Sequence, residues 1–252
     1  MPVPAQHTIA AVVTGHTRGL GAAIAAHLLA RGIRVLGIAR NGNAELGARY
    51  PDSLVQAELD LGHAAAFIVW LRRDIVADFV GASQVALLIN NAGVVQPVGP
   101  LDTQDPEVAA RAVVLNVAAP LALSAAFVRA TGHARERRIL HISSGAGRNA
   151  YSGWSVYCAS KAALDHHARA VTLDRTPRLR IASVAPGVID TDMQTEIRAT
   201  SEREFPDRQR FVRMKEEGEL LSPDRAGSAV VEHLLSDAFG REPTIDLRYR
   251  GR

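Results

Sequence analysis

The stretch Thr14-Gly15-His16-Thr17-Arg18-Gly19-Leu20-Gly21 connects a short apolar run, Ile9–Thr14, to a segment of helical character that begins at Gly19. The first glycine permits a sharp turn, the second lets a backbone approach a phosphate, and the third lets the helix pack against the strand. The N-terminus of the helix offers N–H donors to an anion. Although the Gly-xxx-Gly-x-Gly spacing differs from Gly-x-Gly-xx-Gly, a strand, a glycine loop and a helix in this order predict a dinucleotide-binding site.

Apolar runs of strand length alternate with helical segments along the rest of the chain. After the first strand, the strand-like runs fall at positions 33–39, 53–58, 85–90, 138–143 and 180–185. This rhythm predicts right-handed β-α-β crossovers and an α/β fold, a Rossmann-like doubly wound parallel sheet with helices on both faces. Because no repeat or linker divides the sequence, we predict a single NAD(P)-binding domain over residues 1–252.

Composition limits the partners and the compartment. Lys and Arg number 29 and Asp and Glu 26, a net charge of +3, with no basic run, so nucleic acid is not expected. Cys158 is the single cysteine, which excludes an internal disulfide and makes the cytoplasm the expected location. The stretch Met1 to His7 is too short and polar for a signal peptide, and no apolar run is long enough to predict a membrane partner.

One charged segment, at positions 193–221, interrupts this pattern after the sixth predicted strand. It is dense in Glu and Arg, yet it carries apolar residues at roughly helical spacing. Two interpretations are open, a pair of surface helices or a flap over a ligand. Because ligands of open parallel sheets bind at the carboxyl ends of the strands, where this segment emerges, the sequence favours a substrate flap.

The end of the second strand, Ile38-Ala39-Arg40-Asn41, bears on the choice of cofactor. An NAD site places a carboxylate there for the ribose hydroxyl, and no Asp or Glu is present. Arg40, with Arg18 and Thr17 of the glycine loop, can instead clamp a 2′-phosphate, since a guanidinium matches phosphate geometry, and NADP(H) is therefore predicted. The alternative is that both arginines are ordinary surface residues. Asp60 either accepts a hydrogen bond from the adenine amine or caps a helix near Gly62.

Tyr157 and Lys161 are four residues apart, with Ser144 upstream. On a helix such a pair shares one face, so the ammonium group is expected to lower the pKa of the phenol from about 10 and make it a usable acid. The alternative is an exposed tyrosine beside a solvated lysine. Ser144 has a competing interpretation as a nucleophile, but no histidine lies in a G-x-S-x-G context to act as its base.

The histidines and acidic residues carry no further catalytic pattern. His141, within an apolar strand, and His166 and His167, past Tyr157 on its helix, are interpreted as structural. No HExxH motif is present and no arrangement of the acidic residues suggests a metal, so no metal is predicted.

With TGxxxGxG, Asn90-Asn91-Ala92-Gly93, Asn116, Ser144, YxxxK and Pro186-Gly187 in order, the chain resembles the short-chain dehydrogenases/reductases over nearly its whole length. The resemblance implies a Rossmann-like fold, an NAD(P) cofactor and a catalytic tetrad of Asn116, Ser144, Tyr157 and Lys161. It implies that Tyr157 donates a proton, that Ser144 polarises the carbonyl, and that Lys161 holds the ribose of the cofactor. Asn116 then holds a water of the proton relay, or else satisfies a neighbouring carbonyl in the core. The cofactor contacts expected overall are Gly15, Thr17, Arg18, Gly19, Leu20, Gly21, Arg40, Asn41, Asp60, Leu61, Asn91, Ala92, Gly93, Tyr157, Lys161, Pro186, Gly187, Ile189 and Thr191.

Several stretches are similar to the sepiapterin reductase and benzil reductase branch, namely Gly153-Trp154-Ser155-Val156-Tyr157-Cys158-Ala159-Ser160-Lys161, Asp190-Thr191-Asp192-Met193-Gln194, Phe205-Pro206-Asp207 with Lys215-Glu216-Glu217-Gly218, and the tail Ile245-Asp246-Leu247. The tail ends Asp246-Leu247-Arg248-Tyr249-Arg250 and lacks the glycine-rich closing segment of other short-chain reductases. That branch reduces carbonyls, often vicinal dicarbonyls, with NADPH. In sepiapterin reductases the aspartate that matches Asp246 holds the pterin, but benzil-type members share this tail. The substrate contacts expected are Ser144, Tyr151, Trp154, Met193 and Asp246.

The resemblance leaves three functions in view. The first is an NADPH-dependent carbonyl reductase acting on a small diketone or aromatic ketone. The alternatives are a pteridine (sepiapterin-like) reductase and a non-catalytic dinucleotide-sensing protein, although the latter predicts a damaged tetrad and all four positions are intact. The family usually pairs subunits through the helices expected at 106–131 and 154–173, which implies a homodimer or homotetramer.

Overall fold

A computed structural model describes residues 8–249, so the predicted absence of a signal peptide at the N-terminus and Arg250 of the tail lie outside the described residues. Seven parallel strands form one sheet in the order β3-β2-β1-β4-β5-β6-β7. They are β1 Ile9–Thr14, β2 Arg34–Ala39, β3 Leu54–Glu58, β4 Val85–Asn90, β5 Glu136–Ile142, β6 Leu179–Ala185 and β7 Thr244–Asp246. The strand order reverses between β1 and β4, and the carboxyl ends of these strands border a crevice.

The helices of the described residues are α1 Gly19–Leu29, α2 Ala44–Arg49, α3 Ala64–Leu71, α4 Ile75–Val80, α5 Pro106–Val113, α6 Ala119–Ala130, α7 Ser155–Leu173, α8 Asp192–Ala199, α9 Arg208–Glu216 and α10 Pro223–Leu235. Successive side chains of a strand point to opposite faces. In β1, Ala11 and Val13 therefore pack with α1 and α10 on one face, while Ala10 and Val12 pack with α3, α4 and α6 on the other. The predicted doubly wound α/β fold is confirmed.

The six predicted strands are all present. β1 and β4 match their predicted bounds, and the other four differ by one or two residues at their ends. The largest shift is in β5, which begins at Glu136, two residues before the predicted start, because the charged Glu136 and Arg137 carry no apolar signal for a strand. Strand β7 was not predicted. It has three residues, all half-buried, and is too short for a periodic signal.

The helix expected at 106–131 is present over Pro106–Ala130, and its middle is distorted. A π-helical turn, Val114–Ala118, joins α5 to α6. The segment Pro106–Ala130 is long and apolar enough to span a membrane by length and composition, a test that core helices also pass. Here α6 packs on β4 and β5, which makes the segment part of the helical layer on one face of the sheet.

The segment predicted as a flap contains α8 and α9. Its two ends meet, since Ile189 pairs with Leu221 in an isolated parallel bridge. The backbone N–H of Asp190 donates to the Leu221 carbonyl at 2.9 Å, and the N–H of Leu221 donates to the Val188 carbonyl at 2.9 Å. The intervening residues thus form a helical insertion after β6 whose two ends lie side by side, at the edge of the sheet that borders the crevice.

Candidate active site

One large cavity, of about 590 Å³, opens at the carboxyl ends of the strands. This volume is typical of a small-molecule site. Residues from the glycine loop, the ends of β2 to β6, the N-terminal half of α7, the flap and the C-terminal tail all line it. The cavity thus brings together segments that are far apart in the sequence.

The glycine loop forms one wall and is held by close backbone contacts. A Cβ atom at Gly21 would overlap the carbonyl oxygen of Gly15, so the first turn of α1 tolerates only glycine there. The Thr14 hydroxyl accepts from the backbone N–H groups of Asn91 and Ala92 at 2.9 and 3.0 Å. The Asn91 amide donates to the carbonyl of Thr14 at 2.9 Å. These bonds join the ends of β1 and β4 and present the N-terminus of α1 to the cavity, where it suits a pyrophosphate.

Arg40 and Asn41, at the end of β2, are exposed and line the cavity near the loop. Asp60 also lines it, and its carboxylate accepts from the backbone N–H of Gly62 at 2.9 Å. The interpretation of Asp60 as a helix cap is wrong, because α3 begins at Ala64 and its N-cap is His63. Asp60 therefore remains at the position expected for a contact with adenine.

Arg18 lines the cavity as well, but it has a protein partner. Its guanidinium donates to the Asp192 carboxylate at 2.6 Å, and both side chains are exposed. The pair joins the glycine loop to the first residue of flap helix α8. Of the two arginines predicted to clamp a phosphate, Arg18 already has a partner, whereas Arg40 has no hydrogen-bonding partner among the described residues.

The tyrosine, serine and lysine of the predicted tetrad line the same cavity as the glycine loop. Tyr157 and Lys161 lie in the first two turns of α7 and are 8% and 5% exposed, so the interpretation of a solvated pair is wrong. Ser144 follows β5 and is half-buried. The Lys161 ammonium donates to the carbonyl of Ile142 at 2.8 Å, which ties α7 to the end of β5.

The electrostatics of Tyr157 differ from the expectation. Burial raises the pKa of Tyr157 to about 12, and hydrogen bonding with the Ser144 hydroxyl lowers it by less. The prediction that Lys161 lowers this pKa does not hold in this structure, where burial has the largest effect on the phenol and the only group among the described residues that lowers its pKa is the Ser144 hydroxyl. Burial also lowers the pKa of Lys161 to about 8, while the charge of Asp165 acts to raise it. At neutral pH Tyr157 is therefore protonated, and Lys161 is predominantly charged.

Asn116 lies in the π-helical turn between α5 and α6 and is 1% exposed. Such turns often occur at functional sites. Its amide donates to the Val94 carbonyl at 2.8 Å and accepts from the Val94 N–H at 2.9 Å. These contacts match the second interpretation of Asn116, an amide that satisfies neighbouring backbone groups. They hold the segment after β4 against the cavity, of which Asn116 itself is not a wall residue.

An aromatic cluster lies under the flap. Trp154 stacks on Phe205 with ring centres 4.4 Å apart and planes 9° apart, and it also contacts Tyr151, Tyr157 and Phe211. Trp154 is 4% exposed, so most of its surface packs within the cluster, although it reaches the cavity wall. The flap is thereby attached directly to the N-terminus of the helix that carries Tyr157.

The predicted cofactor contacts, nineteen residues from Gly15 to Thr191 along the chain, all line the cavity, and so do Ser144, Tyr151, Trp154 and Met193. Asp246 does not. Its carboxylate is bound by the guanidinium of Arg248, through Nε at 3.0 Å and Nη2 at 2.6 Å, and Arg248 lines the cavity in its place. The sequence pattern gave no reason to choose Arg248, since an arginine two residues past a strand is common on surfaces.

A second feature not found from the sequence is Asp165, one turn past Lys161 and 1% exposed. It accepts from the Ser183 hydroxyl at 2.7 Å and from Arg148 at 3.1 Å. The spacing of four residues between Lys161 and Asp165 on a predicted helix is the signal that could have identified it.

The histidines lie elsewhere. His141 is buried and bonds to Asn90 at 3.1 Å and to His167 at 3.0 Å, and burial lowers the pKa of His141 to about 3. Among the described residues that line the cavity, none is a histidine. Within residues 8–249 no group of three His, Cys, Asp or Glu side chains is placed to hold a metal ion.

A glycine loop at the N-terminus of a helix shares one cavity with a buried tyrosine, a buried lysine and a half-buried serine, which indicates the class of the protein, a nicotinamide-dependent oxidoreductase of the α/β type. The chain belongs to the short chain dehydrogenase family, whose family model matches residues 9–202. The resemblance described above is thereby confirmed.

Individual relatives cover nearly the whole chain. It is 34% identical over 241 residues to a benzil reductase ((S)-benzoin forming) of Bacillus cereus, covering 93% of this chain and 97% of that protein. It is 34% identical over 250 residues to the sepiapterin reductase of Meriones unguiculatus, covering 93% and 94%. A crystal structure of a short-chain dehydrogenase/reductase from Burkholderia vietnamiensis is 50% identical, with a TM-score of 0.71 and coverage of 97% and 99%.

Proposed function

We propose that the protein is an NADPH-dependent carbonyl reductase that reduces a small diketone or aromatic ketone, with Tyr157 as the proton donor. The observation that carries this proposal is the placement of the buried Tyr157 and Lys161 with Ser144 in the cavity that also holds the glycine loop. The similarity to proteins named benzil reductase and sepiapterin reductase supports a carbonyl substrate.

The chemistry follows from the environment of each side chain. A bound nicotinamide cofactor supplies the hydride in this class of reaction. Because the pKa of Tyr157 is about 12, the phenol holds its proton at neutral pH and can donate it to the developing alkoxide. Ser144, beside Tyr157, orients the carbonyl oxygen by donating a hydrogen bond. Lys161, charged at neutral pH, binds the ribose hydroxyls of the cofactor.

The preference for NADPH is proposed on the residues at the end of β2. No carboxylate is present there, and Arg40 lines the cavity with its guanidinium free among the described residues. A guanidinium matches a 2′-phosphate bidentately, whereas an NAD site needs an acceptor for the ribose hydroxyl. Arg18 contributes less, because its charge is balanced by Asp192.

The test is the consumption of NADPH with benzil and other diketones, with aromatic ketones and with sepiapterin. Replacing Tyr157 by Phe removes the proton donor and should lower kcat by about 10²- to 10⁴-fold. Tyr50→Phe, at the end of α2 and away from the cavity, is the matched control and should leave kcat unchanged. If Tyr157→Phe turned over as fast as the unmodified enzyme, the proposed mechanism would be wrong.

The same panel separates the alternative functions. The relative named sepiapterin reductase favours a pteridine reductase as the second candidate. Efficient reduction of sepiapterin with poor reduction of diketones would establish it. Binding of the dinucleotide without turnover of any carbonyl would instead identify a sensing protein.

We further propose that residues 193–221 act as a substrate flap, on the strength of α8 and α9 covering the cavity. The single Cys158 is a free thiol, which supports a cytoplasmic location. A homodimer or homotetramer through α6 and α7 is supported by the small exposed residues Ala125 and Ala162 on these helices, which permit close approach.

A further inference from the structure

The wall of the cavity next to Ser144 contains a cation that the proposed chemistry does not use. Arg248 lies in a short 3₁₀ turn, Leu247–Tyr249, directly after β7. The stem of its side chain passes Gly187, at which a Cβ atom would lie 3.6 Å from the Arg248 Cγ. Its Nη2 atom faces Gly145, the residue after Ser144, at 3.7 Å from the corresponding Cβ position. The guanidinium is therefore adjacent to the group that is proposed to orient the reacting carbonyl.

Asp246 holds this guanidinium in one orientation. Its carboxylate accepts from Arg248 Nε at 3.0 Å, from Nη2 at 2.6 Å and from the backbone N–H of the same residue at 3.0 Å. The Asp246 side chain is 12% exposed and that of Arg248 is 37% exposed. The Asp246 carboxylate is thus bonded to Arg248. Among the described residues, Nη1 of Arg248 has no hydrogen-bonding partner. A planar guanidinium fixed on one edge presents its remaining donors in a defined direction.

The strand that delivers this pair is itself anchored. Arg148 donates to the Ile245 carbonyl of β7 at 3.1 Å and to the buried Asp165 of α7 at 3.1 Å. Asp165 also accepts from Ser183 of β6 at 2.7 Å. The position of β7 is therefore fixed relative to the helix that carries Tyr157, so the distance from Arg248 to the catalytic groups is defined by the fold.

The chemistry of this wall selects for a particular ligand. An arginine offers only donors, so the matching group on a substrate is an oxygen acceptor. The neighbouring walls, with Tyr151, Trp154 and Met193, suit an apolar or aromatic body. We propose that Arg248, positioned by Asp246, is the specificity-determining residue of the enzyme and binds the second oxygen of a vicinal dicarbonyl while Ser144 and Tyr157 engage the first. This inference rests on the proposed function and names its substrate class.

The test compares two ligands of nearly the same shape, benzil and deoxybenzoin, in which a CH₂ group replaces one carbonyl. Binding to the protein in the presence of NADP⁺ is measured by quenching of tryptophan fluorescence, and NADPH consumption is measured in parallel. The unmodified protein should bind benzil about tenfold or more tightly than deoxybenzoin, since a hydrogen bond to a charged donor is among the stronger ones. Arg248→Met, which keeps the apolar stem, should abolish this preference and change the affinity for deoxybenzoin less than about twofold. Arg248→Lys should keep part of the preference.

The control is Arg241→Met, an exposed arginine in the loop before β7, which should leave both affinities unchanged. The proposal is overturned if the unmodified protein binds the two ligands equally or binds neither. It is also overturned if Arg248→Met keeps the preference or weakens both ligands alike. Preferential binding of benzil without NADPH consumption would overturn the reductase proposal and leave the role of Arg248 intact. Equal turnover of both ketones without a binding preference would overturn the role of Arg248 and leave the reductase proposal intact.

Discussion

The Lys161 ammonium is buried, and burial disfavours its charged form. Burial lowers the pKa of this lysine to about 8, and the buried carboxylate of Asp165, one turn along α7, acts in the opposite direction. Below pH 8 the ammonium is charged and can bind the hydroxyls of a ribose. As the pH rises through 8 the proton is lost, and with it this contribution to cofactor binding. The carboxylate thus raises the pH up to which Lys161 keeps its charge.

This reasoning predicts a shift in the pH profile of an Asp165→Asn variant. Removing the negative charge removes an effect that raises the pKa of Lys161, so the alkaline loss of activity should begin at a lower pH. The quantity to measure is kcat/KM for NADPH as a function of pH, because it reports ionisations of the free enzyme. In the unmodified enzyme this quantity should fall as the pH passes through about 8.

The matched control is Asp174→Asn, at the exposed C-terminal end of α7. It should leave the midpoint of the alkaline limb unchanged. An equal profile for Asp165→Asn and the unmodified enzyme would show that Asp165 serves only to fix Arg148 and Ser183, its hydrogen-bonding partners.

At the scale of elements, the flap makes a close backbone contact with the turn before α7. Gly153 has φ +77°, and a Cβ atom there would overlap the carbonyl oxygen of Glu204, between α8 and α9. The aromatic stack of Trp154 on Phe205 lies directly beside this contact. The backbone of the flap can approach the turn closely only because residue 153 has no side chain.

Gly153→Ala should therefore displace the flap. The substitution combines a left-handed backbone conformation, which costs about 1–2 kcal/mol for a residue with a Cβ, with a steric overlap. We expect a higher KM for the ketone and faster tryptic cleavage at Arg203 and Arg208, within the flap. Limited proteolysis and steady-state kinetics measure the two effects.

Gly218→Ala provides the control at the far end of the flap. Gly218 has φ +69°, but no atom lies within 4 Å of its Cβ position. The alanine variant should pay a similar conformational cost for its left-handed backbone, but without a steric overlap. The KM and the cleavage pattern should therefore stay nearly unchanged. If both variants behaved alike, the close approach at Gly153 would not hold the flap in place.

The sequence predicted elements well and contacts between distant segments poorly, for a physical reason. Strands such as β4 are continuous apolar runs because both faces of the sheet are covered, and the glycine loop has its own local pattern. The π-helical turn at Asn116, by contrast, leaves no signal in a helical sequence. The pairing of Arg18 with Asp192 and of Arg248 with Asp246 depends on where side chains settle on the folded surface, since both partners are of common surface types.

At the scale of the whole molecule, the cavity lies where the glycine loop, the ends of the strands, the flap and the tail converge. A ligand that binds there contacts segments from both halves of the sheet and stabilises the folded state as a unit. The gain in the free energy of unfolding is RT ln(1 + [L]/Kd), about 2.7 kcal/mol at a hundredfold excess over Kd. For a chain of 252 residues this corresponds to a rise in Tm of roughly 5–10 °C. Thermal stability therefore reports on cofactor choice without any need to know the substrate.

The final prediction concerns Arg40, which we expect to provide most of the recognition of the 2′-phosphate because Arg18 already has the carboxylate of Asp192 as its partner. Arg40→Asp should abolish the rise in Tm with NADPH, since a carboxylate repels the phosphate, and should keep or increase the rise with NADH, since it accepts from the ribose hydroxyl. Differential scanning fluorimetry with each cofactor measures both. Arg73→Asp, exposed between α3 and α4, controls for the change of charge and should preserve the preference for NADPH. Equal losses for the two cofactors in Arg40→Asp would mean that this arginine supports the cavity edge generally and that the 2′-phosphate is recognised elsewhere.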